Sequence, residues 1–263
     1  MDMHLENKTA IVCGASKGLG RACAEMLAAE GVRLVVCSRT FDNIFAAARS
    51  ISEMYGVDAV PFAGDLAHPG TPEALVGEAL KQFGGVDILI NNVGGPPPGD
   101  FSSVTDSDWE DAFRLTLMSA VRMSRAVLPV MIRQHWGRII NLASLSVKQP
   151  IPNLILSNSL RSAVAGMAKS LSQEVARHGV LVNTIASGSF DTERLRQIFK
   201  NRARAAGITE EEARTAMEAS IPLGRIGNPV ELAAMVTFLA SDRASYITGA
   251  TIQIDGGMCA GTL

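Results

Sequence analysis

The chain has 263 residues, of which 47% are hydrophobic, and its formal net charge at pH 7 is −2. Mixed charges of both signs argue against a nucleic-acid partner or a polybasic membrane anchor. Met1–Lys8 lacks the apolar stretch of a signal peptide, and no uninterrupted apolar run approaches the roughly 20 residues that span a bilayer. We therefore expect a soluble, cytoplasmic protein with one core and one domain over residues 1–263.

Short apolar runs alternate with longer helical patterns along the whole chain. Apolar residues at three- and four-residue spacing predict helices such as Leu19–Ala29, Pro72–Phe83 and Ala163–Val175. Alternating strands and helices form βαβ units, so the predicted fold is α/β. It is a doubly wound parallel sheet of Rossmann type, with about seven strands and helices on both faces. The predicted strands are Thr9–Cys13, Leu34–Ser38, Ala59–Ala63, Val86–Asn91, Arg138–Ala143, Leu181–Ile185 and Thr251–Ile254.

Two segments interrupt this regular pattern. Gly94–Gly99, with three consecutive prolines, predicts a stiff loop directly after the fourth strand. Glu193–Ser220 is rich in charge and helical in composition, and it leaves the strand–helix alternation. We expect residues 193–220 to form a helical lid over a substrate cleft.

The four cysteines give no sign of a metal site. Cys13, Cys23, Cys37 and Cys259 lack metal-ligand spacing and lie in apolar segments. We expect free, buried thiols in a reducing compartment.

A glycine-rich turn directly follows the first predicted strand and opens the first predicted helix. Gly14–Gly20 reads Gly-Ala-Ser-Lys-Gly-Leu-Gly. Glycines there permit a tight turn and close approach of the backbone to a pyrophosphate, which then faces the positive end of the helix dipole. The turn therefore predicts a dinucleotide-binding site. Its glycines have the spacing G-x-x-x-G-x-G rather than G-x-G-x-x-G.

With that spacing, the chain resembles the short-chain dehydrogenase/reductase family over nearly its whole length, and most of all the 3-oxoacyl-carrier-protein reductases. Asn91–Gly94 stands at the N-N-A-G motif of the family. The resemblance implies that Asp65 and Leu66 contact adenine and that Gly188 and Thr192 face the nicotinamide. Further matching segments are Ile221–Arg225 and Asp255–Gly257.

The charges near the second strand favour NADP(H). An acidic residue at the end of this strand would bind the ribose 2′-hydroxyl and repel a 2′-phosphate. Here the strand ends at Ser38 and Arg39, and Lys17 lies in the glycine turn, so two cations suit a phosphate unless both are only solvated surface charges. The expected cofactor-binding residues are Gly14, Ser16, Lys17, Gly18, Leu19, Gly20, Ser38, Arg39, Asp65, Leu66, Asn92, Gly94, Arg161, Gly188 and Thr192.

The catalytic positions depart from the family pattern. The resemblance implies a serine that binds the carbonyl, a tyrosine that donates a proton, a lysine four residues later, and an asparagine that organises a water. Ser144 matches the serine, but Ser157 stands for the tyrosine, Arg161 for the lysine and Thr116 for the asparagine.

These replacements predict weak activity on ordinary ketones. A serine hydroxyl is a far weaker acid than a phenol, and an arginine does not give up a proton near neutral pH. A positioned general acid typically contributes about 10²–10⁴ in rate. Lys148, four residues after Ser144, could be a recruited acid, or it could be an ordinary solvated lysine.

Three functions remain open at this point. The first is hydride transfer between NADP(H) and the carbonyl or alcohol of a small molecule, with 3-oxoacyl compounds as candidates. The second is a catalytically silent NADP(H)-binding sensor or assembly protein, and the third is reduction of an activated double bond. Apolar and small residues on several faces of Ala163–Val175 also predict a homotetramer or homodimer.

Overall fold

The computed structural model describes residues 2–262 and contains one parallel sheet. Its seven strands are ordered β3-β2-β1-β4-β5-β6-β7. This order and the all-parallel pairing confirm the predicted fold class. The strands are β1 (Thr9–Cys13), β2 (Arg33–Ser38), β3 (Ala59–Ala63), β4 (Ile88–Asn91), β5 (Gly137–Leu142), β6 (Val180–Ser187) and β7 (Thr251–Ile254).

Helices cover both faces of the sheet. They are α1 (Gly18–Ala29), α2 (Phe41–Tyr55), α3 (Thr71–Phe83), α4 (Asp106–Ala112), α5 (Ser119–Gln134), α6 (Ile155–Val175), α7 (Glu193–Ala206), α8 (Glu210–Ala219) and α9 (Pro229–Ala240). A π-helical segment, Phe113–Met118, joins α4 to α5 without a break.

The two faces of the sheet form two apolar cores because strand side chains alternate between faces. Ala10 and Val12 of β1 lie in one core with α1, α2 and α9. Ile11 and Cys13 lie in the other, with α3, α5 and α6. Helices cover both faces, so β1, β4 and β5 are buried along their whole length and consist mostly of apolar residues.

Most predicted boundaries are right to within two residues, but α6 begins at Ile155 rather than at Ala163. Its first turns contain Ser157, Asn158 and Ser159, which are weak helix formers. The Asn158 side chain nevertheless bonds to the backbone of Ile151 in both directions, at 2.9 and 3.1 Å, and this stabilises the helix start. Tertiary contacts therefore extend the helix to the position of the missing tyrosine.

Within residues 2–262, one helical stretch, Asp106–Gln134, is long and apolar enough to cross a membrane. Its most apolar 18-residue window has a mean hydropathy of 1.4, and 44% of that window is buried. The stretch is not one uninterrupted apolar run, because Arg122 and Arg125 divide it. It packs against α3, α6 and the sheet, and core helices have the same composition.

The prediction of buried thiols is wrong for one cysteine. Cys13, Cys23 and Cys37 are buried, whereas Cys259 is partly exposed. Cys259 follows β7 in the irregular C-terminal segment, whose neighbouring residues are partly or fully exposed. Burial also raises the pKa of the Cys23 thiol to about 12.

Candidate functional site

The candidate site lies where the sheet order reverses, at the carboxyl ends of β1 and β4. The chain moves from β1 to β2 and β3 on one side, and then returns to β4 on the other side of β1. The loops after β1 and β4 therefore diverge and leave a crevice between them, which is the usual ligand position in open α/β sheets. The predicted glycine turn and the Asn91–Gly94 motif both border this crevice.

The glycine turn has no room for a side chain at Gly14 or at Gly20. Gly14 and Gly18 have φ values of +60° and +62°, which favour glycine. A Cβ atom on Gly20 would lie 2.3 Å from the Gly14 carbonyl oxygen and 2.7 Å from Asn92 Nδ2. Asn92 Nδ2 also donates to the carbonyl oxygens of Cys13 and Gly14 at 3.3 Å, so the turn is packed tightly against the loop after β4.

The N-terminus of α1 is left open by this turn. Lys17 is the N-cap residue, and its side chain makes no capping hydrogen bond. The first turn of α1 contains no acidic residue. Its free N–H groups and positive dipole end therefore suit an anion such as a pyrophosphate.

The two cations predicted near the adenosine ribose differ in their surroundings. Lys17 Nζ forms an ion pair with Glu193 Oε2 at 2.6 Å, and both side chains are mostly exposed. The ammonium group of Lys17 lowers the pKa of the Glu193 carboxyl. Arg39 is exposed after β2 and forms no ion pair in residues 2–262, and Ser38 is half-buried beside it. Arg39 can therefore bind a phosphate without breaking an existing ion pair, whereas Lys17 cannot.

The remaining cofactor-side positions border the same crevice. Thr192 Cγ2 would lie 3.4 Å from a Cβ atom on Gly18, so the segment before α7 approaches the glycine turn. Gly188 packs closely on Asp255, because a Cβ atom there would lie 2.6 Å from the Asp255 Cα. Leu66 is buried and Asp65 is exposed after β3.

A narrow cavity lies at the catalytic end of the crevice. Its walls come from the ends of β4 and β5, from α6 and from the π-helical segment. The lining residues are Leu66, Asn91, Asn92, Val93, Thr116, Ser119, Ala120, Asn141, Leu142, Ala143, Arg161 and Val164. Of the five predicted catalytic residues, Thr116 and Arg161 line it, while Ser144, Ser157 and Lys148 lie outside its wall.

Arg161 fills the position of the family lysine. Its Nη1 donates to the carbonyl oxygen of Leu142, the last residue of β5, at 3.0 Å. Burial, with repulsion from Arg194, lowers the pKa of Arg161 to about 10. The guanidinium is therefore still charged at neutral pH but poorly compensated, because no carboxylate in residues 2–262 lies within ion-pair distance of it.

Thr116 lies in the π-helical segment Phe113–Met118 and points an unpaired group into the site. Its Oγ1 is buried and has no hydrogen-bond partner in the described part of the chain. The hydroxyl of Ser119 bonds to the Leu115 carbonyl oxygen, which helps to accommodate the wider turn. π-helical turns occur frequently at functional sites, and this one keeps position 116 on the cavity wall.

Three predicted catalytic side chains lie around the start of α6 and the loop after β5. The Ser144 Oγ accepts from the backbone N–H of Ser146 at 3.2 Å, so this residue caps a short 3₁₀ turn. Lys148 ends that turn and is partly exposed. Ser157 is buried, one helical turn before Arg161.

Arg194 lies at the edge of this site and is not among the residues predicted from the sequence. Its Nη1 donates to the carbonyl oxygen of Gly95 at 3.2 Å, across the crevice from α7 to the loop after β4. Loss of hydration lowers the pKa of Arg194. One feature of the sequence could have indicated Arg194: it stands two residues after Thr192, which the resemblance assigns to the nicotinamide side.

These residues fit a nicotinamide dinucleotide. The tight turn at Gly14 and Gly20 allows a pyrophosphate to approach the backbone closely. The α1 N-terminus offers unpaired N–H donors, and Arg39 is exposed after β2. The donor set does not resemble a metal centre, since residues 2–262 contain no group of three or more His, Cys, Asp or Glu side chains that could hold a metal ion.

Comparison with known proteins agrees with this geometry. Residues 14–259 match the family model described as enoyl-(acyl carrier protein) reductase, one of the short-chain dehydrogenase/reductase models. The chain is 37% identical over 256 residues to a 3-oxoacyl-[acyl-carrier-protein] reductase of Vibrio cholerae. The aligned region covers 97% of this chain and 99% of the relative.

Solved structures give the same result. The chain is similar to L-sorbose reductase from Gluconobacter frateurii, complexed with NADPH and L-sorbose, with a TM-score of 0.96 and 33% identity over 99% of this chain and 100% of the other. It is also similar to an NADPH-dependent reductase involved in bacilysin biosynthesis, with a TM-score of 0.92 and 31% identity over 97% and 99% of the two chains. The chain therefore belongs to the short-chain dehydrogenase/reductase family of oxidoreductases.

Proposed function

We propose that this protein reduces the carbonyl group of a small molecule with NADPH, and that 3-oxoacyl compounds are among its candidate substrates. The observation that carries this proposal is the tight glycine turn at Gly14–Gly20, which leads into a helix N-terminus without a side-chain cap. The NADPH complexes of similar reductases support the choice of cofactor.

The chain's own residues would act on the carbonyl as follows. The bound cofactor supplies a hydride. Ser144 would bind the carbonyl oxygen and donate a hydrogen bond to the negative charge that develops there. Thr116 would hold a water in the cavity through its unpaired Oγ1. Proton delivery would come from that water or from Lys148, because Ser157 and Arg161 are poor acids.

The deciding experiment is an NADPH-oxidation screen across carbonyl classes, paired with calorimetric titration of NADPH. We expect NADPH binding together with slow turnover of at least one class. NADPH binding without turnover of any class would instead favour the silent sensor or assembly protein, since the glycine turn would serve binding alone. Failure of NADPH to bind would overturn both functions.

We expect NADPH to bind more tightly than NADH, and Arg39→Ala to remove much of this preference. A charge-assisted contact to the 2′-phosphate would be lost, so NADPH affinity should fall by about tenfold or more while NADH affinity stays the same. Calorimetry with both cofactors measures this difference. Arg49→Ala is the matched control, because Arg49 is an exposed α2 residue paired with Glu53. Equal affinities of the wild type for the two cofactors would contradict the assignment.

We propose that the chain acts as one domain over residues 1–263, with residues 193–220 as a substrate lid. Glu193–Ala206 and Glu210–Ala219 form two helices, α7 and α8, that share a small separate cluster containing Leu195, Phe199 and Ala213. Such a small core supports a low local stability. Hydrogen exchange should therefore be much faster in α7 and α8 than in β4 and β5, and should slow when NADPH and substrate bind. Exchange as slow as in the central strands without ligand would refute the lid.

We further propose a cytoplasmic homotetramer or homodimer that assembles through α6. The outer face of this helix carries small side chains, Ser162, Ala163, Gly166 and Ser170, over which a second helix can pack closely. Sedimentation velocity at micromolar concentration should show a dimer or a tetramer, and Gly166→Glu should shift it toward monomer. A wild-type monomer at this concentration would exclude the proposal.

A further inference from the structure

The charged groups around the start of α7 are paired, with one exception at the cleft. Asp191 forms an ion pair with Arg196 at 3.0 Å and lies 4.0 Å from Arg214. Glu193 pairs with Lys17 at 2.6 Å. These two acidic side chains at the start of α7 are thus already paired with other cations. Arg194 directly follows Glu193 and has only the Gly95 carbonyl oxygen as a partner in residues 2–262.

Arg161 is the second cation without a carboxylate partner. It projects from α6 into the cavity wall and bonds only to the Leu142 carbonyl oxygen among the described residues. Each guanidinium has five N–H donors, so most donors of both side chains remain unused. Both groups border the loop after β4, because Arg161 lines the same cavity as Asn92 and Val93, and Arg194 donates to the carbonyl oxygen of Gly95. The charge of Arg194 also contributes to the lowered pKa of Arg161. Two neighbouring cations without an anion are unfavourable unless a ligand supplies a negative charge.

We propose that Arg161 and Arg194 together bind an anionic group of the substrate, so that the substrate is a short oxo acid with a free carboxylate near its reacting carbonyl. Leu142, the anchor of Arg161, is two residues before Ser144, which we assign to the carbonyl oxygen. A carboxylate on the two arginines would therefore lie a few bonds from that carbonyl. Guanidinium groups suit this role because they bind carboxylates through two parallel hydrogen bonds. The inference rests on the proposed carbonyl reduction and adds the substrate class to it.

A cofactor phosphate could also supply the negative charge. That alternative places the arginines in cofactor binding rather than in substrate selection. The two sources differ in a measurable way. If the arginines bind the substrate, their loss weakens substrate binding to the NADPH complex. If they bind a cofactor phosphate, their loss weakens the binding of NADPH itself.

The test compares acids with their neutral esters in the protein saturated with NADPH. The probes are acetoacetate against methyl acetoacetate, and 2-oxobutanoate against its methyl ester. We expect at least one acid to have a kcat/KM at least tenfold above that of its ester. Arg194→Gln should raise KM for that acid by about 10- to 100-fold, and should change the values for the ester and the Kd of NADPH by less than threefold.

Arg196→Gln is the matched control, because it removes the same charge from the same helix at an exposed, paired position. It should leave acid and ester kinetics unchanged. Calorimetric titration of the acids into the NADPH complex gives a reading that does not depend on turnover.

Three results would overturn the inference. The first is that neither acid binds better than its ester. The second is that Arg196→Gln weakens the acids as much as Arg194→Gln does, which would indicate a diffuse charge effect. The third is that Arg194→Gln mainly weakens NADPH, which would assign the arginines to the cofactor. Failure of the proposed function itself would appear separately, as no NADPH binding or no oxidation with any neutral ketone or ester.

Discussion

The double variant Ser157→Tyr with Arg161→Lys should reduce a neutral ketone about 10²- to 10⁴-fold faster than the wild type. The two changes restore a phenol and its activating ammonium one turn apart on α6. A neutral substrate is needed, because the loss of Arg161 also removes one half of the proposed acid-binding pair. NADPH oxidation with methyl acetoacetate measures the effect.

The single variants should separate the two contributions. Ser157→Tyr alone should recover part of the rate, because Arg161 still provides a fixed positive charge. Arg161→Lys alone should recover none, since the ammonium has no phenol to act on. A tyrosine without a neighbouring cation keeps a pKa near 10 and donates its proton poorly at neutral pH.

Ser157→Phe with Arg161→Lys is the control for the ring itself. It has nearly the same volume as the tyrosine variant but lacks the hydroxyl, so it should remain as slow as the wild type. Ser157 is buried, and an added ring costs roughly 1–3 kcal/mol if its neighbours must move. Thermal unfolding and NADPH titration therefore establish that each variant is folded. A folded, NADPH-binding double variant that is no faster than the wild type would show that these two substitutions do not limit activity.

Gly20→Ala should weaken NADPH binding by about 10- to 100-fold. The added Cβ would lie 2.3 Å from the Gly14 carbonyl oxygen and 2.7 Å from Asn92 Nδ2, which no real packing permits. The turn must open, and the strain of about 1–3 kcal/mol distorts the N–H groups that face the pyrophosphate. Calorimetric Kd values for NADPH measure the loss.

Gly77→Ala is the matched control in a helix away from the site. A Cβ atom on Gly77 meets nothing within 4 Å, so this variant should bind NADPH normally. It should also be more stable by about 0.5–1 kcal/mol, because alanine favours the helix more than glycine does. Normal NADPH binding by a folded Gly20→Ala variant would show that the cofactor does not use this turn.

The elements of the fold could be predicted because their signals are local. A strand such as β4 is a continuous apolar run, since helices cover both faces of a parallel sheet. The glycine turn is also a local feature, because backbone conformation at Gly14 and Gly18 depends on the missing Cβ atom. The missing tyrosine was found from the resemblance to the family, because Ser157 stands thirteen residues after Ser144, where the family has its tyrosine. The sequence alone therefore determined the fold class and the place of the glycine turn, whereas the roles of Ser157 and Arg161 remain predictions that rest on the resemblance to the family.

The charge balance of the site was decided only by the tertiary structure. Lys17 is predicted to face a phosphate, but it pairs with Glu193, which is 176 residues away in the chain. Arg194 reaches the loop after β4 across 99 residues, and no local pattern reveals that contact. Ion pairs depend on distances of a few ångströms between segments that the whole fold brings together. Residue types and their spacing thus identify which groups the chain carries, whereas only packing decides which charges are neutralised and which remain for a ligand.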